Sequence, residues 1–259
     1  MTIKRRMLLT NDDGYSSRGL RLLYKIFKKD YNVVIVAPDS EKSGVGHSFT
    51  YKAPVFYKKI CDGFAKEIFS IYGTPADCVK FAVSHLLNKS PDLIVSGLNI
   101  GENSGISSFY SGTVAAAREG AFWKIRSFAF SLSEESEKYS VYYVKMIPKI
   151  IDKITIKFGN FSKNVFYNIN FPSCHPDMIK GLKITRQSNA FFNDKYQKIR
   201  SNLLGKNKIG YKLFGEKVDI ESSDIYDSRA LLNGWITITP LSFQSTAINE
   251  YRKLKKLFL

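Results

Sequence analysis

The stretch Arg6-Met7-Leu8-Leu9-Thr10-Asn11-Asp12-Asp13-Gly14 joins an apolar run to a short polar turn. Arg6 to Thr10 reads as a buried strand that ends in a loop. Leu20, Leu23, Ile26 and Phe27 then recur at helical spacing, which predicts a helix over about 17–29. Val33-Val34-Ile35-Val36-Ala37 predicts a second strand, closed by Pro38-Asp39. Strand, helix and strand in this order form a parallel βαβ unit with a right-handed crossover.

The alternation continues through the first two thirds of the chain. Residues 54–72 predict two short strands. Thr74-Pro75 opens a helix that runs to about Leu87, with Thr74 as cap and Pro75 at the first helical position. Leu93-Ile94-Val95-Ser96 is apolar on both faces, which suits a central parallel strand. A loop rich in Gly, Asn and Ser spans 97–108. An Ala-rich helix over 113–122, a strand over 127–132, a helix over 139–156 across Pro148 and a strand over 166–171 follow. Beyond about residue 180 the pattern changes. Residues 182–185 and 234–240 read as strands, and the polar, aromatic stretch 189–227 reads as β-hairpins or arms. No repeat or low-complexity linker divides the chain, so one domain is expected over 1–259. Its core covers about 1–185, with an arm and C-terminal segment over about 186–259.

Hydrophobic residues make up 44% of the 259 and charged residues 24%, which excludes a disordered chain, a collagen and a disulfide-framed miniprotein. Lys and Arg number 39 against 23 Asp and Glu, a formal charge of +16. Such a surplus suits nucleic acid, a membrane surface or a small acidic ligand. The Lys residues are scattered, however, and the densest cluster is Arg252-Lys253-Leu254-Lys255-Lys256. No run of ~18 apolar residues predicts a membrane span. The apolar run behind the basic start, Met7-Leu8-Leu9, is too short for a signal core. Cys61, Cys78 and Cys174 have no metal-type spacing and read as buried free thiols in a reducing cytoplasm.

In open α/β sheets ligands bind outside the carboxyl ends of the strands, which directs attention to three loops. In the first, Asp12 and Asp13 are adjacent carboxylates that repel. Burying both requires a cation or a proton. Hard oxygen ligands select Mg²⁺, Mn²⁺ or Ca²⁺. Alone, this segment reads first as a turn with a helix cap. The second loop, Glu41 to Ser48, offers hydroxyls and glycines but is by itself a flexible turn. The third leads to Ser111-Gly112-Thr113, whose N–H groups and hydroxyls at a helix start make an anion site, or simply a cap. His47 is the one histidine near these loops and a candidate substrate contact. His85 reads as structural, and His175 has no visible partner. Neither a Gly-x-Ser-x-Gly elbow nor a phosphate loop ending in Gly-Lys-Ser/Thr is present.

Taken together the loops are more specific. Leu8 to Gly14, Val36-Ala37-Pro38-Asp39 with Ser43-Gly44, Gly73 to Val79, Pro91 to Gly101 and Tyr110 to Gly120 occur in series. Asp224, Ala230 and Gly234 to Leu241 close it. The chain resembles the SurE (survival protein E) family over nearly its whole length, with 189–219 the weakest part. Trp235 stands where an aromatic, commonly Tyr, is usual.

The resemblance implies an α/β fold with a Rossmann-like core, a mostly parallel sheet flanked by helices and C-terminal β-hairpin arms that exchange between subunits. It implies a homodimer or homotetramer. It implies a divalent metal, Mg²⁺ or Mn²⁺, on Asp12, Asp13, Ser43 and Asn99. It implies substrate phosphate near Asn11, Asn103, Ser111, Gly112 and Thr113. The expected activity is metal-assisted hydrolysis of nucleoside 5′-monophosphates, with 3′-monophosphates and short polyphosphate as further substrates. Asp12 or Asp13 would orient or deprotonate the attacking water, and a covalent aspartyl-phosphate on Asp12 is the competing route. The reading from another class is a basic nucleic-acid-binding α/β module. It requires a continuous basic face interleaved with stacking aromatics, a pattern the sequence lacks.

Overall fold

β1 (Arg5–Thr10) lies inside the sheet because Met7, Leu8, Leu9 and Thr10 are all fully buried. β2 (Tyr31–Pro38) pairs with it in parallel on one side and β5 (Leu93–Ile100) on the other. Successive connections therefore leave β1 in opposite directions, and the carboxyl ends of β1 and β5 flank a topological switch point. The computed structural model describes residues 4–157, 162–201 and 208–258. Beyond β2 come β4 (Ile68–Tyr72), in parallel, and β3 (Phe56–Ile60), antiparallel at the edge. Beyond β5 come β6 (Ser127–Leu132) and β7 (Val165–Phe171), both parallel. β11 (Trp235–Ser242) is antiparallel to β7 and carries the parallel edge strand β8 (Gly181–Ile184). The expected α/β class and mostly parallel sheet are both observed.

Side chains alternate across the strands, so neighbours enter different cores. Leu9 packs with Leu20 and Leu23 of α1 (Arg18–Phe27), whereas Leu8 packs with Cys78 and Val79 of α2 (Pro75–Phe81). α2 begins with a capping box: Thr74 Oγ1 accepts the Asp77 N–H at 3.1 Å, and the Asp77 carboxylate accepts the Thr74 N–H at 2.9 Å. The helix expected to reach Leu87 changes at Ala82 into a π-helical turn, Ala82–Leu86. α3 (Ser107–Tyr110) is a single turn that leads to α4 (Gly112–Phe122). α4 buries nearly every residue, and its alanines allow close approach to α2 and the sheet.

The single helix expected over 139–156 is interrupted. A 3₁₀ turn (Glu134–Tyr139), α5 (Ser140–Tyr143) and a second 3₁₀ turn (Val144–Met146) precede α6 (Ile147–Lys157). Pro148 is the reason: it lacks an N–H and clashes with a preceding helical turn, but fits the first turn of a new helix. Gly97 explains an irregularity in β5. Its φ is +129°, and a Cβ there would lie 2.4 Å from Phe130 O. The register with β6 shifts between Ser96 and Asn99.

β9 (Phe191–Ser201) and β10 (Lys208–Val218) form a separate antiparallel hairpin, the expected arm. α7 (Asp227–Leu232) and α8 (Ile248–Phe258) are helices that the sequence reading did not include. Cys78 is buried as expected, but Cys61 is exposed beside the β3–β4 turn. Among the described residues no helix is long and apolar enough to cross a membrane.

Candidate active site

Asn11 leaves β1 with both amide protons engaged. Its Nδ2 donates to Gly14 O at 3.0 Å and to Ser17 Oγ at 2.7 Å. The turn is thereby closed on itself, with Asp12 and Asp13 at the carboxyl end of β1. Asp12 is 7% exposed. Its Oδ2 accepts the Thr113 N–H at 3.0 Å, and its Oδ1 accepts the Thr113 hydroxyl. The N-terminus of α4 thus already holds an anion, the chain's own carboxylate, where the helix dipole favours negative charge. Close approach requires Gly112, since a Cβ there would lie 2.8 Å from Asp12 Cβ.

Burial raises the Asp12 pKa, and the Thr113 and Gly112 donors only partly oppose it. Asp13 is pushed up to about 7, first by burial and then by the charges of Asp12 and Glu41. Neither carboxylate has a Lys or Arg partner among the described residues. Two adjacent, desolvated carboxylates without a counter-charge are electrostatically incomplete and suit a hard divalent cation.

Neutral oxygens stand nearby. Lys42 N–H donates to Asp12 O at 2.7 Å, which holds the loop bearing Ser43 against the turn. Ser43 itself is exposed and donates its hydroxyl to Glu41 Oε1 at 2.6 Å. Asn99, near the end of β5, donates from Nδ2 to Gly101 O at 2.6 Å, which leaves Oδ1 as an oxygen donor. Asp12, Asp13, Ser43 and Asn99 therefore share one rim of the sheet. Only two of them are acids. Among the described residues no group of three or more His, Cys, Asp or Glu could hold a metal.

The residues expected around phosphate divide into two sets. Asn11 and Thr113 frame the site, because their donors already face Gly14, Ser17 and Asp12. Ser111 keeps a free hydroxyl proton: its Oγ accepts the Val114 N–H at 3.1 Å. Asn103 belongs to a polar network on β6 and β7. Its Nδ2 donates to Ser131 Oγ at 2.8 Å, its N–H to Asn170 Oδ1 at 2.7 Å, and its carbonyl accepts Asn168 Nδ2 at 2.7 Å.

The chain matches the family model for survival protein SurE over residues 7–194. A protein of Christiangramia forsetii, named 5′-nucleotidase SurE, is 37% identical over 93% of this chain and 92% of its own length. This chain belongs to the SurE family. A 5′-nucleotidase SurE of Flavobacterium psychrophilum is 38% identical over 96% of this chain and 95% of its own. The crystal structure of the SurE protein from Aquifex aeolicus matches with a TM-score of 0.81 and 35% identity, covering 97% of this chain and 99% of that one.

This SurE chain also holds its site with residues the sequence reading passed over. Glu119, 2% exposed on α4, accepts from Lys80 Nζ at 2.8 Å and Trp123 Nε1 at 2.9 Å, and meets His47 Nε2 at 2.9 Å. His47 stacks on Phe122 with ring centroids 5.1 Å apart. These contacts anchor the Ser43 loop on α4. Asp77 pins the same loop farther on, accepting from Thr50 N–H and Oγ1, both at 2.8 Å. Asp227 ties the β5 loop to the base of the arm, accepting Gly105 N–H at 3.1 Å and Ser188 N–H at 2.9 Å. Asn168 and Asn170 did leave a signal: they alternate on one face of an otherwise apolar strand. Glu119 left none that separates it from an ordinary helix carboxylate.

Proposed function

We propose that this SurE protein is a metal-dependent phosphohydrolase that removes phosphate from nucleoside 5′-monophosphates. The observation that carries the reading is the Asp12-Asp13 pair, Asp12 buried and Asp13 half-buried at a topological switch point, with no Lys or Arg partner among the described residues. The names of its relatives support the substrate class. Asp12, Asp13, Ser43 and Asn99 would hold Mg²⁺ or Mn²⁺. When bound, the metal supplies Lewis-acid polarisation of the phosphoryl oxygens.

The chain's own groups do the rest. Ser111 hydroxyl and Asn103 are donors from a rigid frame, stabilising charge that spreads over the phosphoryl oxygens in the transition state, while the Gly112 N–H faces the Asp12 carboxylate. Asn11 and Thr113 hold that frame. Both Asp12 oxygens already accept hydrogen bonds from Thr113, which supports a charge-holding role over attack by Asp12 itself. Asp13, the less enclosed of the two carboxylates, is placed to take a proton from the attacking water at Oδ1 or Oδ2. Substrates extend in this reading to 3′-monophosphates and short polyphosphate. The protein is taken to act in the cytoplasm as a homodimer or homotetramer. The exposed stripe Ile248, Tyr251, Leu254 and Phe258 on α8 supports an apolar contact of that kind.

The test is phosphate release from AMP or GMP with Mg²⁺ or Mn²⁺, before and after EDTA. Release that stops on chelation is expected. Release indifferent to EDTA, or none with either metal, overturns the reading.

A further inference from the structure

A cavity of about 280 Å³ lies on the flank of α4, between α3, the start of β7 and the end of β11. None of Asp12, Asp13, Ser43 and Asn99 lines it. Thr113 meets Asp12 in the first turn of α4, whereas Arg118 and Phe122 lie more than one and more than two turns farther along. Phe109, Phe122, Phe166 and Phe243 make the walls aromatic. The rings of Phe122 and Phe243 meet edge to face, with centroids 4.7 Å apart.

Arg118 is the one Lys or Arg in these walls, and no Asp or Glu stands among the described lining residues. Its guanidinium packs over the rings of Phe166 and Phe109, with centroids 5.6 and 6.0 Å away. Its Nη2 donates to Ser108 O at 3.3 Å. Among the described residues it has no carboxylate within ion-pair distance. Ring faces attract the charge but leave the in-plane N–H donors of the guanidinium unmatched. Burial pulls its pKa below the usual arginine range, yet the group stays charged. His47 closes one side of the cavity. Its Nε2 meets Glu119 Oε2 at 2.9 Å, while its Nδ1 is buried with no hydrogen-bond partner. His47, Lys80 and Trp123 hold the Glu119 carboxyl below its ordinary range, so Nε2 carries the proton and Nδ1 of the neutral ring is an unused acceptor.

We infer that this cavity is a second binding site, built for a small aromatic carboxylate that also carries a hydroxyl. The carboxylate pairs with Arg118, the ring lies among the phenylalanines, and the hydroxyl donates to His47 Nδ1. The planar fork of a guanidinium matches a carboxylate with two parallel hydrogen bonds. One cation balances one negative charge, whereas a phosphate dianion would keep an uncompensated charge beside apolar rings. An aromatic ring gains edge and face contacts here beyond its buried area. A buried acceptor left unpaired is costly, which favours a ligand with an O–H over one without. The volume lies just under the range of drug-sized ligand sites, which suits a single ring with short substituents.

The test is equilibrium dialysis of the full chain in EDTA against 4-hydroxyphenylacetate. Saturable binding is expected. Arg118→Met keeps an apolar stem and should weaken it at least about tenfold, the scale of one charge-assisted hydrogen bond. The neutral 4-hydroxybenzyl alcohol should bind more weakly than the acid by a similar factor, and phenylacetate should fall between the two. Phe243→Ala removes a half-buried ring from the wall and should weaken binding severalfold, a second check should Arg118→Met not fold. Asp12→Asn should leave binding unchanged. No saturation by about 10 mM, equal binding of acid and alcohol, or unchanged binding by a folded Arg118→Met overturns the proposal. Binding lost in Asp12→Asn places the acid at the rim of the sheet and overturns it as well.

Discussion

The turn after β1 and the hairpin of β9 and β10 are both polar chain leaving a packed body, yet they are held in opposite ways. In the turn, Asn11 is fully buried and Asp12 nearly so, and Asp12 bonds to a residue 101 positions away. In the hairpin, the eleven register pairs are all between the two strands, and Tyr196, Tyr211, Leu213 and Phe214 are 41–71% exposed. The turn is rigid because distant parts of the fold converge on it, whereas the hairpin is held by its own strand pairing except where Lys217 bonds Glu102 and Ser104. Chemistry that requires fixed donors belongs to the first kind of structure. A surface that tolerates change belongs to the second.

Substitutions at the rim should therefore far outweigh those in the arm. Asp12→Asn retains an acceptor for Thr113 and should keep the fold by circular dichroism. It should lower kcat/KM for AMP about a thousandfold, or ~4 kcal/mol of transition-state stabilisation. Near-normal turnover would remove Asp12 from the site.

Asp13 makes a pH prediction. Its folded pKa of about 7 lies above the ordinary 3.8, so ionisation is harder in the folded state. Its stabilising contribution is complete below about pH 4 and is lost as the pH rises through 7. In EDTA, Asp13→Asn should therefore exceed the wild type in stability at pH 8, by up to ~4 kcal/mol, and lose that advantage at pH 4. Urea denaturation at the two pH values measures it. Added Mn²⁺ should raise the melting temperature of the wild type more than that of the variant.

Glu119 tests the frame behind the rim. Glu119→Ala leaves Trp123, His47 and Lys80 without their shared acceptor, and should cost ~2 kcal/mol because Lys80 and His47 retain some water. Burial pushes the Glu119 carboxyl up, but His47, Lys80 and Trp123 together hold it below its ordinary 4.5. Its contribution is present above about that value and disappears as the pH falls through the lowered one. The difference between wild type and variant should accordingly shrink in acid, as read from melting curves against pH. The smallest effect is expected in the arm, where Tyr211→Ser should change stability by less than ~0.5 kcal/mol. A loss of several times that would mean the outer hairpin, too, is coupled to the body.

Much of the fold is legible without coordinates. Met7 to Leu9, Val33 to Ala37 and Leu93 to Val95 read as strands because central parallel strands are buried on both faces and need continuous apolar runs. α8 escapes notice because no residue in it is buried, so its apolar positions face no core of this chain. The interruption before Pro148 leaves no mark on the pattern, because helical periodicity survives a break in the hydrogen-bond ladder. The loops that bear Asp12, Asp13, Ser43 and Asn99 were legible as strand ends. The targets of their donors were not, as Ser43 facing Glu41 and Thr113 facing Asp12 illustrate.

Period, cap and turn chemistry act within a few residues of chain, and so the sequence by itself determined which segments become strands and helices and where each loop begins. Which anion occupies the start of α4, and that His47 leans on a buried carboxylate 72 positions later, was decided only by tertiary structure. Hydrogen bonds form at about 3 Å. Residues so far apart in the chain come within that distance only once the sheet has stacked their elements side by side.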